Sequence, residues 1–397
     1  MQVKHARPGF RLTPWHVLLA LLVLPAACAP QAPQPLFTAA PSAPEAPEPQ
    51  RVRISLLLPM SGTNASLGAA MLNAAQLALF EQAGPGVELV TQDTGGSPAA
   101  AAQAARTAIA DGSRAAVGPL TGAETSAAAS TARAGRMPLL AITNDASQAM
   151  PGVWPLGVTP AQQVRRLTGV AIGQGVHRFA LAGPQGAFTQ QLALALRAAT
   201  AQAGLPPPTV VLYPAAASPT LAARDLAAQI GAATPGEEPL ALILAEGGDR
   251  ARAFAAALAG AGLRSPPLRL LGTAGWDQDP AVAAEPALEG ALFPGSDPGA
   301  RIAFEARYRA AFGTTPPRVA AIAYDATSIA LQSVRGTDPR GGPPAEVPVG
   351  TVIQGAEGAL RLLPDGTVQR ALAVYAVTPG GPTRMVEPAA LPGVPES

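Results

Sequence analysis

Cysteine and histidine are scarce in this chain of 397 residues, and their scarcity excludes two kinds of site. Cys28 is the single cysteine, and of the three histidines only His177 lies beyond residue 16. One cysteine and one histidine far apart cannot build a Cys/His zinc site, so we predict no metal site. No disulfide can form within the chain, and its stability has to come from a large hydrophobic core.

Concentrated positive charge is also lacking. The chain has 27 basic and 26 acidic residues, with a net charge of +1, and Lys4 is its single lysine. The arginines are scattered, and aromatic residues make up only 4% of the sequence. A nucleic-acid-binding protein would concentrate basic residues on one face, often with aromatic residues between them, so we predict no nucleic-acid partner.

Catalytic motifs are absent as well. The sequence has no Gly-x-Ser-x-Gly elbow, no His-Glu-x-x-His, no phosphate loop and no Gly-x-Gly-x-x-Gly after its first predicted strand. A Ser-His-Asp triad would have to use His177. The acidic pair Asp277 and Asp279 lies in a turn-like Gln-Asp-Pro sequence. We therefore predict a non-enzymatic protein without a cofactor.

The N-terminal segment is typical of an export signal. Three basic residues precede an apolar run at 17–24, which is too short to span a bilayer comfortably, and Cys28 follows two alanines. The pattern predicts a cleaved signal peptide at residues 1–27. Cys28 resembles the acylated cysteine of a bacterial lipobox. The usual leucine three residues before the cysteine is replaced by Pro25, and a leucine, Leu24, lies one residue earlier. Ordinary cleavage that leaves Cys28 unmodified is the alternative.

Residues 28–50 then predict a lipidated cysteine and an extended tether. Seven prolines lie between residues 29 and 50, and a Pro-rich segment of this kind holds a globular part away from a membrane. In bacterial lipoproteins, which this segment resembles, an aspartate directly after the acylated cysteine is the signal for retention in the inner membrane. Ala29 occupies that position here and indicates sorting to the outer membrane. The sequence therefore favours a periplasmic protein with a lipid anchor, in the outer membrane.

Short apolar runs alternate with alanine-rich helical stretches from residue 51 onward. The first run, 52–58, is almost continuously apolar, as expected of a strand buried on both faces. Alternation of this kind predicts parallel sheets with helices on both faces. Near the C-terminus, alternating residues around Pro364-Asp365-Gly366 predict a hairpin. The predicted organisation is lobe 1 at 51–157, lobe 2 at 158–295, a return to lobe 1 with the terminal hairpin at 296–380, and a tail at 381–397.

Several motifs occur in an order that resembles a known family. They are Leu57-Leu-Pro-Met-Ser-Gly62, Gln92-Asp-Thr94, Gly118-Pro-Leu-Thr121, Ala141-Ile-Thr-Asn144, Gly272-Thr-Ala-Gly-Trp-Asp277, Phe304-Glu-Ala-Arg-Tyr308 and Ala323-Tyr-Asp-Ala326. Together they resemble the leucine-binding type I periplasmic binding proteins, a family that includes penicillin-binding-protein activator lipoproteins. The resemblance covers about 51–377. It implies an α/β fold with two doubly wound parallel-sheet lobes and a hinge, the type I periplasmic binding protein fold.

The resemblance also implies a ligand site between the lobes. In that family, hydroxyls and backbone amides after the third and fourth strands of lobe 1 hold a ligand's carboxylate and ammonium groups, and helix N-terminal amides suit an anion. The candidate binding residues in lobe 1 are Ser61, Thr121, Gly122, Ala141, Thr143 and Asn144. Those in lobe 2 are Phe188, Glu246, Trp276 and Asp277, of which Glu246 or Asp277 would hold the ammonium.

This chain departs from the family pattern at two positions. Gly122 stands where a serine is often found, with Thr121 as a possible substitute, and Phe188 replaces a common tyrosine. Structural roles are the alternatives at three candidates: Thr121 and Thr143 as helix N-caps, and Trp276 as a core aromatic beside the hinge. An altered or lost amino-acid specificity therefore stays open.

Two functions fit these observations. The first is an uptake receptor that closes on a small amino-acid-like ligand and docks on an ABC permease. The second is a penicillin-binding-protein activator that regulates peptidoglycan synthesis by contact with a synthase. The lobe 1 loops favour the first, which we expect, and the anchor, tether and altered cleft residues favour the second.

Overall fold

The computed structural model describes residues 51–83, 86–230, 239–263, 268–277, 279–338 and 345–393. The predicted signal peptide, Cys28 and the tether lie outside these ranges. None of the helices in the described ranges is long and apolar enough to cross a bilayer.

Lobe 1 is built on a five-stranded parallel sheet with the order β2-β1-β3-β4-β5. Its strands are β1 (Val52–Leu58), β2 (Val87–Asp93), β3 (Ala115–Val117), β4 (Leu139–Ala141) and β5 (Val153–Pro155). Its first three helices are α1 (Ala65–Gln82), α2 (Pro98–Ala110) and α3 (Gly122–Ala134). The strands β1, β3 and β4 lie in the middle of the sheet and are almost wholly buried, which explains their apolar sequences.

Lobe 2 repeats the α/β pattern on a seven-stranded sheet. Its parallel strands are β6 (Arg178–Pro184), β7 (Thr209–Tyr213), β8 (Leu240–Leu244), β9 (Leu268–Leu271) and β10 (Leu292–Gly295). Its helices are α4 (Pro160–Gly173), α5 (Ala187–Gln202), α6 (Pro219–Ile230), α7 (Gly248–Gly260) and α8 (Pro280–Ala283). The strand order begins β7-β6-β8-β9-β10. The two α/β lobes predicted from the sequence are thus confirmed.

The C-terminal part of the chain contributes to both lobes. Its elements are α9 (Pro298–Phe312), α10 (Arg318–Ser333), β11 (Val352–Gly355), β12 (Gly358–Leu362), β13 (Val368–Arg370), β14 (Leu372–Ala376) and β15 (Arg384–Ala390). Helix α10 packs along α1 and shares the lobe 1 core, as the predicted return to lobe 1 requires. Strands β12 and β13 pair antiparallel around Asp365 and Gly366, which confirms the predicted hairpin.

The last two strands differ from the sequence expectation. We assigned 371–380 to lobe 1 and 381–397 to a tail, but β14 pairs antiparallel with β10 of lobe 2, and β15 pairs with β14. The physical reason is the open side of β10, since an uncovered strand edge in a buried sheet leaves backbone groups unpaired. The chain therefore crosses between the lobes three times: after β5, after β10 and between β13 and β14.

Candidate functional site

Each lobe has one place where the order of its strands reverses. In lobe 1 this switch lies between β1 and β3, and in lobe 2 between β6 and β8. Ligands of open α/β sheets bind outside the carboxyl ends of strands at such switch points. The loops there carry Ser61, Thr121 and Gly122 in lobe 1 and Phe188 and Glu246 in lobe 2. Five of the ten predicted binding residues thus lie at the two switch points or one turn from them.

The loop that follows β1 is held by an aspartate at the end of β2. Asp93 Oδ1 accepts hydrogen bonds from the backbone amides of Met60, Ser61 and Gly95, at 2.8, 3.2 and 2.7 Å. Hydrogen bonds from Ser61 and from the Gly95 amide lower the pKa of Asp93, so it stays ionised at neutral pH. Ser61 is exposed on this loop.

Thr121 is the N-cap of α3, which was the structural alternative for this residue. Its hydroxyl donates to Glu124 Oε2 at 2.7 Å, and the Glu124 amide donates back to the Thr121 oxygen at 3.3 Å. This capping box commits the hydroxyl proton to a protein partner. The amides of Gly122 and Ala123 begin the helix without an acceptor in the described part of the chain. These two amides remain as donors for an anion.

Thr143 lies at the end of β4, after Ala141, and is not a helix N-cap. Its side-chain oxygen accepts from the Asp145 amide at 3.1 Å, which leaves its hydroxyl proton to donate elsewhere. Thr143 is buried, as is Ala141, whereas Asn144 is exposed.

Asp145 lies directly against the start of α3. A Cβ atom built on Gly122 would stand only 2.4 Å from Asp145 Oδ2. The glycine at 122, where the family resemblance leads one to expect serine, therefore makes room for this carboxylate. Asp145 was not among the binding residues predicted from the sequence.

Asp145 also joins the two lobes. Its Oδ1 accepts a hydrogen bond of 2.7 Å from Gln191 Nε2 on α5 of lobe 2, and a second of 2.7 Å from Ser147 Oγ. Burial opposes ionisation of Asp145, but the hydrogen bonds from Ser147, Gln191 and Gln148 outweigh it and lower the pKa of this carboxyl. The side chain is ionised at neutral pH, and no ion pair with an arginine neutralises it in the described chain.

In lobe 2, Glu246 is buried and already paired. Both of its carboxylate oxygens accept from Arg250 Nε, and Oε1 also accepts from Tyr213 at 2.8 Å. Burial, together with Glu246, raises the pKa of the Tyr213 hydroxyl. Trp276 is 1% exposed, and its indole nitrogen donates to the Glu246 carbonyl oxygen. Trp276 therefore has the core position that was its structural alternative.

Asp277 is bound by two arginines near the hinge. Its Oδ2 lies 3.0 Å from Arg301 Nη1 on α9 and 3.8 Å from Arg318 Nη1 on α10. Neither Glu246 nor Asp277 has a carboxylate free for a ligand's ammonium in this conformation. Phe188 is half-buried in the first turn of α5, one turn from Gln191.

The Gln191 bridge gives the first testable prediction. Gln191→Ala should shift the equilibrium between closed and open lobes about fivefold toward the open form, because it removes one half-exposed hydrogen bond to a carboxylate, worth about 1 kcal/mol. Distances between spin labels on α2 and α5 would measure this shift. Gln190→Ala is the matched control, since Gln190 is exposed and its side chain makes no hydrogen bond in the described chain. Equal distances in both variants would contradict the bridge.

Comparison with known proteins identifies the family. A family model described as "Periplasmic binding protein" matches residues 51–381. The chain belongs to the periplasmic binding protein family. The family consists of periplasmic binding proteins, and membership implies an extracytoplasmic location. No curated protein matches this binding protein by sequence.

Solved structures share the fold of this binding protein at low identity. A branched-chain amino acid ABC transporter periplasmic ligand-binding protein from Burkholderia xenovorans is 19% identical, with a TM-score of 0.69, covering 86% of this chain and 94% of its own. A solute-binding protein of an ABC transporter from R. palustris, in complex with benzoate, is 19% identical, with a TM-score of 0.61. The match covers 86% of this chain and 97% of that protein. LpoA from Haemophilus influenzae is 19% identical, with a TM-score of 0.64, covering 85% of this chain and 59% of its own.

Proposed function

We propose that this binding protein is the lipid-anchored substrate-binding component of an ABC uptake system and that it holds a small amino-acid-like ligand between its lobes. The observation that carries the proposal is the cluster at the start of α3. Free amides of Gly122 and Ala123, the Thr143 hydroxyl and the ionised Asp145 meet there beside Gln191 of lobe 2. The family and the ABC transporter proteins of the same fold support it.

The cluster fits the two charged groups of an amino acid. The carboxylate and ammonium of an α-amino acid are attached to the same carbon, so their protein partners must also be neighbours. The α3 amides and Thr143 supply donors for the carboxylate, and Asp145 supplies an acceptor for the ammonium. In this arrangement the ligand's ammonium replaces the side-chain amide of Gln191 as the hydrogen-bond donor to Asp145. Asp145 thus takes the role that we had predicted for Glu246 or Asp277.

The remaining predicted residues have secondary parts in this proposal. Phe188 would contact the ligand's apolar side chain from lobe 2, and Ser61 would line the opposite side of the lobe 1 switch point. A thioether-linked lipid at Cys28 would hold the protein to the outer membrane through the Pro-rich tether. A ligand that bridges the lobes would favour their closed form, which is the form expected to dock on a permease.

Asp145 should distinguish ligand classes. Asp145→Ala should weaken binding of an amino acid about tenfold or more, because its ammonium would lose a charged acceptor. The same change should leave unchanged or strengthen binding of a simple carboxylate such as benzoate, which has no ammonium and is repelled by Asp145. Titration calorimetry with leucine and benzoate measures both affinities. Weaker binding of both ligands to an equal degree would contradict this role.

Thermal unfolding against a ligand panel tests the function itself. The panel holds aliphatic and polar amino acids, benzoate and peptidoglycan fragments, and a ligand at a hundred times its dissociation constant should stabilise the fold by roughly 2.7 kcal/mol. We expect an amino acid to raise the unfolding temperature of the wild type and of Thr143→Ser, which retains the hydroxyl. The same amino acid should not raise the unfolding temperature of Thr143→Ala. A rise that survives in Thr143→Ala would place the ligand elsewhere.

The second candidate is a penicillin-binding-protein activator. The specific observation in its favour is that Glu246 and Asp277 are neutralised by arginines while Gln191 and Asp145 bridge the lobes with the protein's own side chains. The fold similarity to LpoA supports it. No shift with any panel member would favour this function, and direct binding to a purified peptidoglycan synthase would then be the measurement.

A further inference from the structure

A separate pocket lies between α4 and the C-terminal strands, away from the loops at the switch points. It encloses about 310 Å³, at the lower end of the range for small-molecule sites. Three arginines line it, together with an apolar wall, and none of its described lining residues is acidic. The lining residues that matter here are Arg165, Arg166, Arg370, Leu372, Leu391 and Pro392.

No described acidic side chain lining this pocket balances its positive charge. Arg370 is 4% exposed and pairs through Nη2 with Asp325, but its Nη1 makes no hydrogen bond in the described chain. Arg166 donates to the carbonyl oxygens of Leu372 and Pro388, and no described carboxylate lies within 4.0 Å of it. Arg165 is exposed, and its guanidinium makes no hydrogen bond or ion pair with the described residues. Two of the three guanidinium groups therefore have no counter-charge among the described residues.

A second, smaller pocket lies beside the first. It encloses about 180 Å³ and shares Gln162 and Arg165 with its neighbour, and its walls include Leu363 and Val368. Arg165 thus stands between two partly apolar pockets. A guanidinium group presents paired donors that match a carboxylate, and the apolar walls can cover a hydrocarbon chain.

We propose that this pocket pair is a second ligand site, which binds a small carboxylate bearing a short apolar chain. The carboxylate lies on Arg165, with Arg166 and Arg370 adding to the positive field, and the chain lies against Leu372 and Leu391. A free inorganic anion would leave these apolar walls uncovered. The site is independent of the ligand proposed between the lobes.

Calorimetric titration of the whole protein with hexanoate tests this site. Hexanoate should bind saturably, and Arg165→Ala should weaken its binding about tenfold or more, because one charge-assisted pair of hydrogen bonds is lost. Arg197→Ala is the control, since Arg197 is an exposed arginine on α5 without a described side-chain partner. It should leave the affinity unchanged. Hexanamide, a neutral analogue, should bind about tenfold more weakly than hexanoate.

Three outcomes would overturn the proposal. The first is the absence of saturable hexanoate binding. The second is equal affinity in Arg165→Ala and the wild type. The third is loss of hexanoate binding in Thr143→Ala with full binding in Arg165→Ala, which would place the carboxylate between the lobes.

Discussion

Replacement of Arg370 by leucine should destabilise the protein by about 3–5 kcal/mol, because it leaves a buried carboxylate without its counter-charge. Arg370 Nη2 lies 2.9 Å from Asp325 Oδ2, and Asp325 is 1% exposed. Arg370 Nε also donates to the Leu156 carbonyl oxygen, where the chain first crosses between the lobes. Urea unfolding would measure the loss. Arg197→Leu on the exposed face of α5 should change the unfolding free energy by no more than about 0.5 kcal/mol.

The same substitution should make stability more dependent on pH. Burial raises the pKa of Asp325, and Arg370 opposes that rise. Without Arg370 the pKa of Asp325 in the folded state rises further. A carboxyl whose pKa is higher in the folded than in the unfolded state contributes stability below its unfolded pKa, and this contribution is lost as pH rises through the folded pKa. The loss of unfolding free energy caused by Arg370→Leu should therefore be smaller at about pH 4.5 than at about pH 7.5. An equal deficit at both pH values would contradict the account.

Gly118→Ala should cost about 3 kcal/mol or more, because two penalties coincide at this position. Gly118 has φ +93°, which disfavours any side chain, and a Cβ atom there would lie 2.1 Å from the Leu57 carbonyl oxygen. This oxygen belongs to β1, at the switch point of lobe 1, so it cannot move without displacing the central strand. Urea unfolding would measure the cost, and the shifted loop should also weaken ligand binding at α3.

Gly112→Ala is the matched control for this prediction. Gly112 has φ +74°, but no atom of the described residues lies within 4 Å of the position of its Cβ atom. The change should cost only the left-handed backbone penalty, about 1 kcal/mol. A Gly118 variant as stable as the Gly112 variant would contradict the close approach of the two strands.

Helix ends were predictable where the sequence carries its own capping groups. Helix α2 begins with Pro98 after the N-cap Ser97, and α3 begins with Gly122 after the N-cap Thr121, which forms a capping box with Glu124 in the first turn. Both N-termini follow from these residues, since serine and threonine are preferred N-caps. Strand β5 was not expected, since three residues that end in proline give no alternating pattern. Strand β15 was missed because its half-exposed, polar sequence depends on β14 for its place in the sheet.

The candidate site was predictable only where it follows strands. The family resemblance pointed to the loops after β3 and β4, and Thr121, Gly122 and Thr143 were predicted from it. Asp145 and Gln191 were missed because their contact depends on the packing of one lobe against the other. The pairing of Asp277 with Arg301 was invisible for the same reason, since the two residues come from different lobes.

The central claim is that a ligand enters between the lobes beside Asp145 and Gln191. Cysteines at the exposed neighbouring positions Ser147 and Gln190, in a Cys28→Ser background and joined by a short bis-methanethiosulfonate linker, would lock the lobes together and leave Asp145 and Gln191 in place. The ligand used is the panel member with the largest thermal shift. We predict that linking before ligand addition abolishes binding and that linking afterwards slows ligand release about a hundredfold. Reduction of the linker should restore binding in the first case and the original release rate in the second. Undiminished binding to the linked protein would contradict the claim and place the ligand outside the cleft.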